Sequence, residues 1–431
     1  MAGGPRWDRR RVLRTGAAAF GGAGAGWSAS ALVANGSAAA APPDGPTRVV
    51  GPSAGAETVP VVGTHQPGVD TAPQAHLALV GWNLRPGAGA VGLTRMMRLL
   101  SDDAARLATG TAALADTEPE LAAHPARLTV TFGFGPRVLR ELVPAARRPR
   151  LDELPAFDRD RLDPRWGQSD VVAQICCDDP TTLAHARRML VKDARTFAEV
   201  HWIQSGFRTA RGTVPDGTTM RNLMGQVDGT VNLAPAEPDF DGLVWAAGDP
   251  AFAGGTFLVV RRIRMQLDKW DRVDRVGREV VVGRRLDTGA PLTGKQEFDE
   301  PDFAATDRFG FPVIDPASHI ARARSDDRRE RFLRRAYSYA EPDPARSTGE
   351  DSGLVFLAFA ADPARQFVPI QRRLDELDRL NEWVVAIGSA VYAIPPAAPQ
   401  GGYVGQQLLE GTSTTGTTGT TSDTPGEKSP S

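Results

Sequence analysis

The sequence predicts an α+β protein of two ferredoxin-like domains, each an antiparallel sheet with peripheral helices. Three observations lead there. Apolar alternation marks strands at 75–82, 127–134 and 170–177, with a fourth candidate at 201–207. Helical apolar spacing at 93–107 and 181–197 falls between them and gives the order β-α-β-β-α-β. A fainter copy follows in the C-terminal half, with strands expected at 255–267 and 353–360 and helices over 268–272 and 367–381.

In chain order, the first segment is an address. Asp8-Arg9-Arg10-Arg11-Val12-Leu13-Arg14 precedes a weakly hydrophobic Ala/Gly run over 16–41, which ends in small residues suited to a signal peptidase. That layout predicts a twin-arginine export signal over 1–41, engagement of the twin-arginine machinery and a periplasmic or extracellular location. The run is too rich in Gly and Ala to build the strong apolar face of an amphipathic helix. Twin-arginine export carries proteins already folded, commonly around a cofactor, so an exported cofactor enzyme is the expectation. Residues 42–62, rich in Pro, Gly and small side chains, read as a linker.

An N-terminal domain over 63–220 and a C-terminal domain over 221–410 follow. Asp178, Asp179 and Thr181 stand at the start of the second helix, where capping oxygens are wanted. Cys176 and Cys177 are adjacent and are the only cysteines. Two neighbouring thiols give no zinc or iron–sulfur spacing and make an awkward disulfide, so they read as part of a buried strand. The charged, Pro-punctuated stretch 277–344 shows no clear elements, and a connection of that length is usually functional. Residues 411–431 hold no aromatic or aliphatic side chain and are expected to be a disordered tail.

Composition narrows the function classes. With 431 residues the chain can enclose a sizeable cofactor pocket. Its 50 Lys+Arg against 52 Asp+Glu leave a net charge of −2, without the basic excess that a nucleic-acid binder needs. Apolar residues at 41% and charged residues at 24% are ordinary globular values. No stretch reads as a permanent transmembrane helix. The six histidines are His65, His76, His124, His185, His201 and His319, so any nitrogen ligand comes from a short set.

Two clusters carry chemistry. The first is Gly225-Gln226-Val227-Asp228-Gly229-Thr230, followed by Val231 and Asn232. Taken alone it reads first as an Asp-Gly turn, and second as a carboxylate presented into a cavity where a flat ligand approaches the backbone. The second runs from His319 through Arg322, Arg324, Ser325 and Asp326 to Arg334-Arg335-Ala336-Tyr337-Ser338-Tyr339. A lone His in a polar segment is a weak ligand signal, and Arg334 alone reads as a surface charge.

Together the pieces resemble the dye-decolorizing peroxidase family, in its twin-arginine-exported branch that includes the deferrochelatase/peroxidase of bacterial iron uptake. The resemblance covers 63–410. It rests on His65-Gln66-Pro67-Gly68-Val69, LTVTFGFGP at 128–136, LDPRWG at 162–167, the GxxDGT motif within 224–233, GGTFLVVRRIR at 254–264, His319, RRAYSY at 334–339 and 353–359. GxxDGT upstream of the His, with an Arg fifteen residues beyond it, is a specific constellation.

The resemblance implies two ferredoxin-like domains of the dimeric α/β-barrel type, with one haem b per chain between the helices and sheet of the C-terminal half. It makes His319 the proximal ligand of the haem iron. Asp228 becomes the distal acid/base and Arg334 the distal arginine, also near a haem propionate. Gly229, Thr230, Val231, Arg324, Ser325 and Asp326 become haem contacts. Two positions depart from the family branch, which often has Asn where Arg324 stands and Gly where Ala336 stands. The implied activity is reduction of hydrogen peroxide and oxidation of dyes or phenolic donors through a ferryl intermediate.

Proton bookkeeping supports those roles. A carboxylate base remains ionised in mildly acidic solution where an imidazole would be protonated, so an acidic optimum is expected. Large dyes do not enter a closed haem pocket, which makes Tyr337, Tyr339, Trp245 and Trp383 candidates for electron transfer by residue type, although most are expected to be core aromatics. The competing reading is a haem- or iron-handling protein of iron uptake in which peroxidase activity is secondary. An exported binding protein without haem is the plain alternative, which a Soret band would eliminate. No nucleic-acid partner is expected; a homodimer and iron-uptake proteins are the macromolecular partners to look for.

Overall fold

The computed structural model describes residues 54–411 apart from 347. The expected export signal and the tail beyond 411 lie outside the described residues, as does most of the expected linker. Its last residues include a single 3-10 turn, Ala54–Ala56. They are pinned to the body, because Ala126 and Arg127 donate their N–H groups to the carbonyls of Gly55 and Glu57.

Four strands make the first sheet: β1 His76–Leu84, β2 Thr129–Phe134, β3 Val171–Cys177 and β4 Ala198–Phe207. They pair antiparallel in the order β2-β3-β1-β4. Helices Gly89–Ala108 and Pro180–Ala194 pack on one face. The second helix starts where Asp179 accepts the Thr182 N–H at 2.7 Å, with Pro180 in the first turn. Both cysteines are buried free thiols in β3, as the strand reading expects.

The second half holds β5 Thr256–Met265, β6 Leu333–Arg334, β7 Tyr337–Pro342, β8 Glu350–Ala360 and β9 Val384–Ile394. Its order β9-β5-β8-β7 repeats the spatial plan of the first sheet. The two sheets touch through single-residue bridges, Phe134 to Ala393 and Phe207 to Ser338, and so close a ring of eight strands with β6 outside on β8. The space inside the ring is filled by Leu77, Leu79, Tyr337, Tyr339, Phe359 and Tyr392, all essentially fully buried. Burial of each such side chain contributes roughly 1.5–3 kcal/mol before entropy is counted.

The sequence reading missed β6, β7 and β9. β9 (VVAIGSAVYAI) is apolar on both faces, because one side meets the ring interior and the other the covering elements, so it lacks period-two alternation. β6 has only two residues. The connection expected to lack elements also carries a helix, Arg275–Val282, capped by Asp274 and ended by Gly283 in the left-handed region at φ 88°. The helix expected over 367–381 instead spans Pro363–Leu377. Asp362 caps it, and a separate 3-10 turn follows at Arg379–Glu382. Asp378 stands at the junction.

Candidate active site

The segment 220–232 is a tight hairpin on the C-terminal half. Arg221 pairs with Val227, and the Asp228 N–H donates to the Met220 carbonyl at 2.8 Å. Gly225 sits at φ 81° and Gly229 at φ 136°, backbone that side-chain-bearing residues rarely adopt, which is why glycine flanks Asp228 on the turn. The Asn222 side chain fills the hairpin. Its Oδ1 accepts the N–H groups of Met224 and Gln226 at 3.0 and 3.3 Å, and its Nδ2 donates to Asp228 Oδ2 at 3.3 Å.

Arg334 comes from β6, 106 residues further on, and its Nη1 donates to Asp228 Oδ1 at 3.2 Å. The pair is 25% and 17% exposed, half-sheltered but open to a small molecule. Asn232 holds Arg334 by its backbone: Oδ1 accepts the Arg334 N–H and Nδ2 donates to the Arg334 carbonyl, both at 2.8 Å. Arg284 is buried nearby. Burial lowers its pKa, as does the Arg334 charge, against the pull of Glu297 and Glu300.

His319 opens a short helix, His319–Ala323. Its Nδ1 lies 2.6 Å from Asp378 Oδ2, while Asp378 Oδ1 accepts the Leu380 N–H at 2.9 Å. The Asp378 carboxylate is thereby fixed from both sides, and the imidazole with it. Burial alone lowers the pKa of His319, but the charge and hydrogen bond of Asp378 outweigh it and the net shift is upward. The charges of Asp228 and Arg334 also act on the ring, weakly and in opposite senses. The ring remains 34% exposed, and its other nitrogen makes no hydrogen bond among the described residues. An apolar cluster including Met224, Trp270, Val281, Ile320 and Leu354 backs both the Asp228 hairpin and the His319 helix.

Of the expected residues, Asp228 and Arg334 are brought into contact, and the His319 helix shares with the Asp228 hairpin the apolar cluster of Met224 and Ile320. Thr230 hydrogen-bonds Glu297 at 2.9 Å on the rim, and Val231 stands 68% exposed beside it. Arg324 turns away to an ion pair with Glu300, with its guanidinium 5.5 Å from the Phe303 ring centre. Ser325 accepts the Asp327 N–H at 3.1 Å, and Asp326 is exposed. Among the described residues, no hydrogen bond joins 324–326 to Asp228, Arg334 or His319. Of the four aromatic candidates, Tyr337, Tyr339 and Trp245 are buried, the last stacked 3.6 Å from His65. Trp383 is half-buried, edge-on to Trp270 with ring centres 5.2 Å apart.

Sequence reading missed Asp378, Asn222 and Glu297, and named Asn232 beside the first cluster without giving it a role. Asp378 was hidden inside an apparent helix; its position directly before a second capped turn is the signal that marks it. Asn232 acts through the backbone of Arg334, for which sequence carries no residue-type cue, whereas Asn222 reaches the Asp228 side chain from the start of the hairpin.

Comparison with known proteins then gives the class. A family model described as Dyp-type peroxidase, C-terminal, matches residues 219–399, and its N-terminal counterpart matches 66–208. The crystal structure of a DyP-type peroxidase from Cellulomonas bogoriensis superposes with a TM-score of 0.78 at 51% identity, over 83% of this chain and 100% of that one. A dye-decolorizing peroxidase of Thermobifida fusca is 44% identical over 67% of this chain and 68% of its own length. A deferrochelatase of Yersinia pestis is 33% identical over 81% and 85% respectively. Fold and likeness define a haem-dependent peroxidase that acts on hydrogen peroxide with a reductant. The chain belongs to the Dyp-type peroxidase family.

The residues present fit a haem. An imidazole oriented by a carboxylate, with its second nitrogen free, is the usual protein half of an axial iron ligand. Among the described residues no three His, Cys, Asp or Glu side chains converge as a cage for a bare metal ion. Iron held here would need its remaining ligands from elsewhere, which a porphyrin would supply.

Proposed function

We propose that His319 is the proximal haem ligand, and that Asp228 and Arg334 run the peroxide step on the other side. The observation that carries this reading is the 3.2 Å contact of Asp228 with Arg334 beside an imidazole already tied to Asp378. Bound haem would supply an iron that takes a peroxide oxygen, gives up the two electrons that cleaving the O–O bond requires, and recovers them from the donor.

The chain supplies proton control. Asp228 Oδ1 is engaged by the Arg334 guanidinium, whereas Oδ2 receives only the longer bond from Asn222. Oδ2 is therefore the oxygen that takes a proton from the near peroxide oxygen and returns it to the far one, which leaves as water. Arg334 brings a guanidinium, whose five donors suit an anionic partner, to face the separating oxygens. Gly229, Thr230 and Val231 would line the haem edge. Arg324, Ser325 and Asp326 would reach the haem only by leaving the partners described above.

Dyes and phenols are the proposed donors. Their size calls for electron transfer to the surface, and Trp383 is the most open of the aromatic candidates. Export by the twin-arginine route rests on the Arg9–Arg14 pattern. The domain boundaries near 63, 220 and 410 follow the repeated strand order of the two halves. Stopped-flow mixing of haem-loaded protein with peroxide tests the central claim: Asp228→Asn and Arg334→Leu should each slow the reaction on the order of 100-fold or more. A wild-type rate in either variant refutes it.

One observation favours a second reading, haem and iron handling with peroxidase activity secondary. The deferrochelatase relatives align over 81% of the chain, against 67% for the Thermobifida enzyme. Release of iron-free porphyrin from haem, followed by its fluorescence, would establish that activity.

A further inference from the structure

We propose that Asn232 and Asn222 are positioning residues for the peroxide step, Asn232 registering Arg334 and Asn222 steering the carboxylate of Asp228. The inference rests on the roles given to Asp228 and Arg334 above.

β6 is two residues long and pairs only with β8, so little in the sheet fixes it. The next N–H, that of Arg335, donates to the Leu357 carbonyl in β8 at 2.9 Å. Antiparallel alternation therefore turns the N–H and carbonyl of Arg334 itself to the open edge. Asn232 occupies that edge. Its amide has one acceptor and one donor side by side, and both meet Arg334 at 2.8 Å, as a neighbouring strand would. Asn232 lies four residues past Asp228, so the clamp sets where the guanidinium emerges relative to the carboxylate.

Asn222 performs the complementary task. Its Oδ1 is spent on the Met224 and Gln226 N–H groups, which fixes the side chain, and Nδ2 is left aimed at Asp228 Oδ2. Two amides thus act on the two ends of one ion pair from opposite sides. Asn232 touches only the backbone of Arg334, and Asn222 meets the carboxylate oxygen of Asp228 rather than the peroxide. Both govern a separation on which proton transfer depends steeply, since a misplacement of ~1 Å can cost on the order of 100-fold.

The test uses the full haem-loaded chain with Asn232→Ala, Asn222→Ala and, in parallel, Arg334→Leu. Four quantities are measured: the peroxide rate constant by stopped flow, kcat and KM for a small donor, haem stoichiometry, and the affinity of the ferric protein for cyanide read from its Soret shift. The expected result for Asn232→Ala is a peroxide rate constant lower by roughly 10- to 100-fold and weaker cyanide binding, with haem stoichiometry and donor KM unchanged. Asn222→Ala should show a smaller loss of the same kind. If Asn232→Ala does not fold, Asn232→Asp keeps the bond to the Arg334 N–H and loses that to its carbonyl, so a partial loss in the same two readouts supports the clamp.

A peroxide rate constant within about twofold of wild type in the Asn232 variant, while Arg334→Leu collapses, overturns the inference and leaves the roles of Asp228 and Arg334 standing. Proportionate losses in haem stoichiometry, donor turnover and peroxide rate would mark a merely structural residue and also overturn it. A normal rate in Arg334→Leu sinks the underlying roles and this inference together.

Discussion

His319 Nδ1 and Asp378 Oδ2 stand 2.6 Å apart, joining the first residue of a short helix to the residue that ends a long one. A carboxylate in that position fixes the tautomer with the proton on Nδ1 and makes the opposite nitrogen a stronger electron donor. Replacing Asp378 by Asn keeps a hydrogen-bonding group but removes the charge. The ferric/ferrous midpoint should rise and haem affinity should fall roughly 10- to 100-fold. A spectroelectrochemical titration reads the first change, and an unaltered potential would count against the coupling.

Arg334 and His319 should fail differently. Arg334→Leu removes a charge from the proposed peroxide side and should depress peroxide reactivity far more than haem content. His319→Ala should lower haem retention directly. Full haem loading with an unchanged Soret band in that variant would refute the axial assignment.

Turnover should peak on the acidic side of neutrality, because a carboxylate base keeps working where an imidazole would be protonated. Steady-state rates across a pH series check this, and a maximum clearly above neutrality speaks against Asp228 as base.

Stability should decline toward alkaline pH for a reason unrelated to catalysis. Asp103 is fully buried on helix Gly89–Ala108, where one oxygen takes the Leu114 N–H, and its other oxygen lacks a protein donor, as does one oxygen of Asp193 on the facing helix. Burial first, then the hydrogen bond and charge of Asp103, push the Asp193 carboxyl up to about 7, with Lys192 opposing. The folded chain holds this proton over a range in which the unfolded chain, titrating near ~3.9, has released it. The contribution is therefore complete below the unfolded value and lost as pH rises through about 7. Urea midpoints measured at about pH 5 and about pH 8 should fall for the wild type and fall less for Asp193→Asn.

Neither thiol should react in the native state. Burial raises the Cys177 pKa to about 12, leaving almost no thiolate at neutral pH. A chromogenic disulfide reagent should titrate both cysteines only after denaturation, and rapid labelling of the folded protein would contradict this.

The N-terminal sheet was legible because β1 to β4 alternate or carry β-branched runs between helices of clear apolar spacing. Asp178, Asp179 and Thr181 announced the second helix start directly, and Asp179 is its cap. The second sheet was harder to read, since its order depends on β9, whose two apolar faces erase the period, and on β6, too short to have one. Asp228, His319 and Arg334 could be singled out only as a constellation. The contact of Asp228 with Arg334 depends on pairings between positions more than a hundred residues apart, such as Asn232 with Arg334. Asp378 shows the same limit: a long helix pattern conceals its one break, and only the folded chain reveals that the break faces His319.

The ring closed by Phe134–Ala393 and Phe207–Ser338 makes the two halves hostages to each other. Every side chain proposed for the chemistry lies in the later half, yet Tyr337, Tyr339 and Phe359 find their cover in Leu77, Leu79 and Cys176 of the earlier one. A fragment carrying only the later half would offer a wide greasy surface to water and lose its shape. The segment with no part in the reaction is thus what allows the reactive one to exist.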